Sequence, residues 1–157
     1  FTIYQYFQTL QLFEPMDSQV KEPLIMTAEG FVAQHTLFNS DLKKAAFYLG
    51  CATQILLSSQ YSHLKSEPFA LQLHNLNIGY RELMEIYPKL LNKAKEYKRA
   101  DKLYNSQYFD DLLTKVGLYL QEDKDVHKTE TSYAFSLGLV MEKEFANQRR
   151  EARQSHN

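Results

Sequence analysis

The sequence predicts an all-α fold, a compact bundle of five to six helices in a single helical domain over 1–157. Three observations predict it. Five Gly and four Pro among 157 residues are about half of the roughly 19 that average usage gives, so long uninterrupted elements are expected. Apolar residues recur at steps of three and four nearly throughout, which gathers them on one helical face. No segment sustains the period-two alternation of a half-buried strand.

Each element follows from local signals. Over 2–13, Ile3, Tyr6, Phe7, Leu10 and Phe13 line one face of a helix that Pro15 ends, because proline lacks an N–H and disfavours helix in the residue before it. Residues 15–24, with Pro15, Asp17, Ser18 and Pro23, read as a loop. A helix is expected over 27–38, with Thr27 as N-cap and Phe31, Gln34/His35 and Phe38 at helical spacing. Asn39 or Ser40 caps the strongest element, 41–64, whose apolar stripe runs from Leu42 to Leu64. Small residues there (Ala45, Ala46, Gly50, Cys51, Ala52) would let a neighbouring helix approach closely, and packing must offset the cost of about 1 kcal/mol for Gly50. This is the expected central helix.

The connector Lys65-Ser66-Glu67-Pro68 leads to one or two turns at Phe69, Leu71 and Leu73, and 75–79 is turn-like. A helix over 79–98 carries Leu83, Ile86, Tyr87, Leu90, Ala94 and Tyr97 on one face, with a kink or a fresh start expected at Pro88. Residues 107–121 form another amphipathic helix, and 121–128 a charged loop. The last helix, 129–152, opens at Thr129 or Thr131 and places Tyr133, Phe135, Leu137, Val140, Met141 and Phe145 inside or against a partner. A polar basic tail over 146–157 holds Arg149, Arg150 and Arg153.

Composition narrows function. Eighteen Lys and Arg balance nineteen Asp and Glu, which excludes a globally basic histone-like protein and an acidic disordered tail. One cysteine, Cys51, excludes an internal disulfide and a Cys-rich zinc site. No apolar run approaches the roughly 18–20 residues of a membrane span. No secretory signal pattern is seen either, so a cytoplasmic domain is expected. The chain opens on Phe1 rather than Met, which points to trimming, processing or a fragment.

Catalytic candidates are thin. His35, His63, His74, His127 and His156 fall in no HExxH pattern and pair with no cysteine, so no metal site is expected. Cys51 lies among apolar residues with no advertised base and reads as a buried thiol. Asp110-Asp111 stands near a helix start, where negative charge complements the dipole. Glu142 and Glu144 read as a solvated face beside Lys143, and the glycines are too scattered for a phosphate loop. No enzyme activity and no cofactor are expected.

Charge is unevenly spread. Residues 1–42 carry one basic and five acidic side chains, a net of −4, whereas 43–157 carry 17 and 14, a net of +3. Within 88–102, Lys89, Lys93, Lys95, Lys98, Arg99 and Lys102 face only Glu96 and Asp101, a net of +4. At about 100° per residue, Lys95, Arg99 and Lys102 share one flank, Lys98 borders it, and Lys89 and Lys93 lie on the other. Several neighbouring cations are what phosphate binding needs, since affinity sums counterion release over contacts. The competing reading is a solvated face whose C-terminal cations complement the helix dipole. Tyr97 and Tyr104 beside it could stack on bases or be buried.

The order of short motifs carries more. The chain reads Ala46-Phe47-Tyr48-Leu49-Gly50, then Gln54 to Gln60-Tyr61, Pro68-Phe69 and Leu73-His74-Asn75-Leu76-Asn77. Ile86-Tyr87-Pro88-Lys89-Leu90, Asn92-Lys93 and Glu96-Tyr97 follow, and Thr131-Ser132-Tyr133-Ala134-Phe135-Ser136-Leu137-Gly138 stands near the end. This series, covering about 45–140, resembles the C-terminal region of the large subunit of type I-B CRISPR Cascade complexes, a region also made separately by internal translation as the Cascade small subunit. Residues 1–40 match less clearly. Ala134 and Ser136 depart from the bulkier apolar residues usual there, which predicts a looser final helix.

The resemblance implies a non-catalytic helical module present in more than one copy, stacked along the crRNA-bearing backbone of a prokaryotic, cytoplasmic surveillance complex with no membrane contact. Its partners would be the other Cascade subunits, the large subunit, further copies of itself, and the R-loop of crRNA and target DNA, whose displaced non-target strand it would track. Binding would be sequence-tolerant, since phosphate contacts carry no base information. Lys89, Lys93, Lys95, Lys98, Arg99 and Lys102 are the expected DNA-backbone contacts, with Lys43, Lys44, Arg149, Arg150 and Arg153 as second choices. The alternatives are a helical protein–protein adaptor without nucleic-acid contact and, third, a helical enzyme built from scattered Tyr, Glu and His.

Overall fold

The computed structural model describes residues 26–58, 77–99 and 106–155, with the backbone alone at 97, 98 and 155. Within them every regular element is a helix: α1 (Ala28–Gln34), α2 (Asp41–Ser58), α3 (Tyr80–Arg99), α4 (Ser106–Tyr119) and α5 (Lys128–Ser155). The expected helix over 2–13, the loop over 15–24, the end of the 41–64 helix from residue 59, and the connector and turns over 65–76 lie outside the described residues.

Local chemistry sets the helix ends. Thr27 caps α1 as expected, its hydroxyl accepting from the Gly30 amide at 3.0 Å. The helix stops at Gln34 rather than at 38, because extended backbone at His35 turns the chain so that Phe38 folds back over Phe31 and Phe47. Ser40, not Asn39, caps α2: its hydroxyl accepts from the Leu42 amide at 3.2 Å and donates to Asp123 at 2.9 Å. Helices α3 and α5 share another start. Glu82 accepts from the Gly79 amide at 3.0 Å, and Glu130 from the His127 amide at 3.2 Å, each a carboxylate reaching back three residues to the cap. Neither Thr129 nor Thr131 therefore opens α5, and Thr131 is buried in its first turns. Helix α4 begins at Ser106, which moves Asp110 and Asp111 into its second turn, away from any capping role.

Helix α2 is the hub, packed most extensively on α5, then on α4, and less on α3 and α1. The α2–α5 crossing is close because two glycines meet. A Cβ on Gly50 would collide with the Phe135 carbonyl, and one on Gly138 with the Phe47 carbonyl and the Cys51 amide. Ala134 is fully buried one turn before Gly138, and α5 runs unbroken over 28 residues through Ala134 and Ser136, where a looser helix is expected. Phe31, Phe38, Phe47 and Phe145 form an aromatic cluster at the α1–α2–α5 junction, with ring centroids 4.9–6.5 Å apart. Tyr133 and Val140 stand out on α5 as exposed apolar residues.

Helix α3 passes through Pro88 as one element, and Pro88 sits on its exposed face, where water can serve the carbonyl it leaves unpaired. Its start is stitched to α5: the Ser132 hydroxyl accepts from the Ile78 amide at 2.7 Å and donates to the Ile78 carbonyl at 3.0 Å. Glu82 also pairs with Lys128, clamping the two helix starts together. Among the described residues no helix is long and apolar enough to cross a membrane.

Candidate nucleic-acid interface

The cations of α3 project from a helix whose opposite face is fixed by Leu83, Leu90 and Ala94, all buried. Lys95 and Arg99 are exposed one turn apart, and so share a flank. Lys89 is exposed on the other flank, next to a half-buried Lys93 that stands 3.9 Å from Glu96. The side chain of Lys98 and the whole of Lys102 lie outside the described residues, as do Tyr104 and the ring of Tyr97. The structure thus gathers the described members of the basic stretch as two pairs.

The second-choice cations are placed very differently from one another. Lys43 is buried, its ammonium donating to Asn39 at 3.1 Å and standing 3.6 Å from Glu130. Lys44 lies 3.8 Å from Asp41 and over the Tyr119 ring at 5.2 Å. On the same seam Lys115 reaches Glu29 at 3.0 Å and covers the Tyr48 ring, which stacks on Tyr119. Arg149, Arg150 and Arg153 sit on the last turns of α5, since the helix continues to Ser155 where a tail is expected. Arg150 and Arg153 are exposed, whereas Arg149 turns inward.

Arg149 turns inward to meet Glu142. That carboxylate is only 2% exposed, which corrects the expected solvated face, and it accepts from the Tyr108 hydroxyl and from the Arg149 guanidinium, each at 2.7 Å. The guanidinium also lies over the Tyr108 ring, 4.6 Å from its centroid. Burial pushes the Glu142 carboxyl above its ordinary range against the pull of Arg149 and Tyr108. Burial also pushes the Tyr108 hydroxyl up, with the neighbouring Cys51 and Glu142 adding to the rise. Arg149 goes up despite its own burial, because Glu142 holds its proton. Sequence reasoning passed over Glu142 although the signal was present: it stands four residues after Gly138 and three before Phe145, on the buried stripe.

Cys51 is fully buried, and burial drives its thiol well above the ordinary value, so it stays protonated against the core. His35 is buried and stacks on Phe31 at 4.3 Å, and burial lowers its pKa. His127 caps α5, while His63, His74 and His156 fall outside the described residues. Among the described residues no three His, Cys, Asp or Glu side chains are grouped to hold a metal ion.

A family model described as the C-terminal domain of CRISPR-associated protein TM1802 matches residues 1–153. No curated protein and no solved structure matches the chain.

Proposed function

The chain belongs to the family of CRISPR-associated TM1802 C-terminal domains, and from that premise we propose that it is the small subunit of a type I-B Cascade surveillance complex, or the equivalent domain of the large subunit. In this role it catalyses nothing. It sits in the prokaryotic cytoplasm among the crRNA-bearing backbone, the large subunit and further copies of itself, and stabilises the R-loop by sequence-independent contact with the displaced non-target strand. Exchange of a DNA duplex for an RNA–DNA heteroduplex is nearly balanced, so modest protein contacts to the freed strand shift it.

The observation that supports this reading best is the exposed Lys95–Arg99 flank on a helix whose inner face is buried at Leu83, Leu90 and Ala94. Lys89, Arg150 and Arg153 supply further exposed cations, and Lys102 and Lys98 extend the flank in sequence. Lys43 is committed to Asn39 and Glu130 and contributes through packing.

Reversing charge at Lys95, Arg99 and Lys102 tests the proposal. Each phosphate contact contributes about 0.7 to the slope of log affinity against log salt on a single strand, so the triple variant should lose about 2 from that slope. R-loop retention by the assembled complex should fall with it. The exposed Leu118, Tyr133 and Val140 favour protein contact and keep the adaptor as second reading. An adaptor would co-purify with proteins and show unchanged, salt-insensitive behaviour towards nucleic acid.

A further inference from the structure

Between the last turn of α2 and the C-terminal half of α5 lies a cleft of about 330 Å³, lined by Gln54, Ile55, Ser58, Lys143, Ala146 and Arg150 together with Glu142 and Arg149. We propose that this cleft seats the backbone of a single-stranded nucleic acid, with Arg149 contacting one phosphodiester, Glu142 and Tyr108 as positioning residues that hold its guanidinium ready, and Lys143 and Arg150 contacting the neighbouring phosphates. The proposal rests on the nucleic-acid reading above and adds a site to it.

Three features carry it. First, the cation is prearranged. An exposed lysine or arginine loses about 0.5–1.5 kcal/mol of freedom when a ligand fixes it. Arg149 is already fixed by Glu142 at 2.7 Å and by the Tyr108 ring, and its side chain is still 26% exposed. A guanidinium has five N–H donors in a planar fork, so the pair with Glu142 leaves donors for a second oxyanion. Second, the lining is cationic. Lys143, Arg149 and Arg150 stand against one carboxylate, and that carboxylate is buried and bound on both oxygens. Gln54 donates to the Ser58 hydroxyl oxygen at 2.9 Å, which leaves the Ser58 proton for an acceptor. Third, the arrangement is costly without a use. Burying a carboxylate costs several kcal/mol even when paired, and apolar replacements of such pairs are commonly neutral or stabilising. Three cations spread over two turns match a ligand with repeated charges better than a single carboxylate, which is why a nucleic-acid backbone is favoured over an acidic peptide.

The test measures affinity of the full chain for a twelve-nucleotide oligothymidylate as a function of salt, by fluorescence anisotropy. Arg149→Gln should weaken binding about tenfold, the scale of one charge-assisted hydrogen bond, and lower the salt slope by about 0.7. Arg149→Lys should restore the slope but not the affinity. Tyr108→Leu, which removes the ring over which the guanidinium lies and leaves every charge in place, should weaken binding about threefold at unchanged slope, a split that mere loss of stability would not produce. Unchanged affinity and slope in Arg149→Gln, alongside weakened binding in Lys95→Gln/Arg99→Gln, overturns the seat and leaves the functional reading standing. Absence of salt-sensitive binding by the parent chain overturns both. Equal competition by an oligoglutamate of matched charge overturns the choice of ligand. Should Arg149→Gln lose its helical circular dichroism, the exposed pair Lys143→Gln/Arg150→Gln decides: a slope lower by about 1.4 supports the seat, and an unchanged slope overturns it.

Discussion

At the scale of single residues, two glutamates with opposite surroundings give the molecule two separable acid responses. Glu142 is buried, and its carboxyl is held above the ordinary range by burial, with Arg149 and Tyr108 pulling the other way. Removing Arg149 leaves a buried charge without its cation, so Arg149→Met should cost about 3 kcal/mol at neutral pH in a urea titration. The sign of its pH dependence follows from linkage. A carboxyl whose folded pKa lies above its unfolded value weakens the fold while ionised, and protonation relieves this as pH falls through the folded pKa. Without Arg149 that pKa rises further, so the deficit should narrow on acidification, above the ordinary carboxylate range. Glu82 behaves in reverse. Burial raises its carboxyl, but the Lys128 pair and the backbone amides of Glu82 and Gly79 outweigh it and hold it below the ordinary range. Its contribution is present above the unfolded pKa and lost as pH falls through the folded one. Glu82→Gln should therefore lower stability near pH 7, with the deficit closing only below the ordinary range. Stability measured for both variants from pH 7 to pH 3 checks the two windows. Helical period alone puts residue 142 inward. What stayed illegible was the partner Tyr108, 34 residues away on another helix, because no local pattern encodes that meeting.

At the scale of elements, backbone contact between α2 and α5 sets the tolerance of the bundle. Alanine normally favours a helix over glycine by about 1 kcal/mol. At Gly50 and Gly138 that gain is reversed, because the added carbon meets backbone of the facing helix, which has no rotamer to yield. Each Gly→Ala change should cost about 3 kcal/mol by overpacking. The double change should cost less than twice that, since the first substitution already separates the helices. Thermal unfolding by circular dichroism of the three variants checks the magnitudes and the non-additivity. Pro88 offers the opposite case. It lies on the exposed face inside α3, so Pro88→Ala should return a backbone hydrogen bond and stabilise by about 1–3 kcal/mol. The small residues of α2 announced a close neighbour in the sequence, and the helical periods placed all five described helices within one residue at the start. The end of α1 and the cap of α5 were less legible. Their limits depend on Phe38 turning back into an aromatic cluster and on Glu130 capping through His127, and each choice is made by burial or hydrogen bonding that competes with propensity.

For the whole molecule, the arrangement around one hub predicts where the fold opens first. Helix α2 is enclosed by α5 and α4 along its length, so its amides should exchange only with global unfolding. Helix α3 touches α2 over a much smaller span. Its described tethers are concentrated at its start, through Gly79, Glu82 and Ile78, and at Tyr87, whose hydroxyl donates to the Leu113 carbonyl at 3.2 Å. The half beyond Pro88 is anchored by Leu90 and Ala94 and carries Lys89, Lys93, Lys95 and Arg99 outward. Hydrogen exchange should therefore report low protection over 89–99 and high protection over 45–56 in the same molecule. The difference bears on function, because a loosely held cationic segment gains order when a polyanion neutralises it. A single-stranded oligonucleotide should slow exchange across 89–99 and leave 45–56 unchanged. An adaptor that meets only protein would show the same gradient with no response to the oligonucleotide.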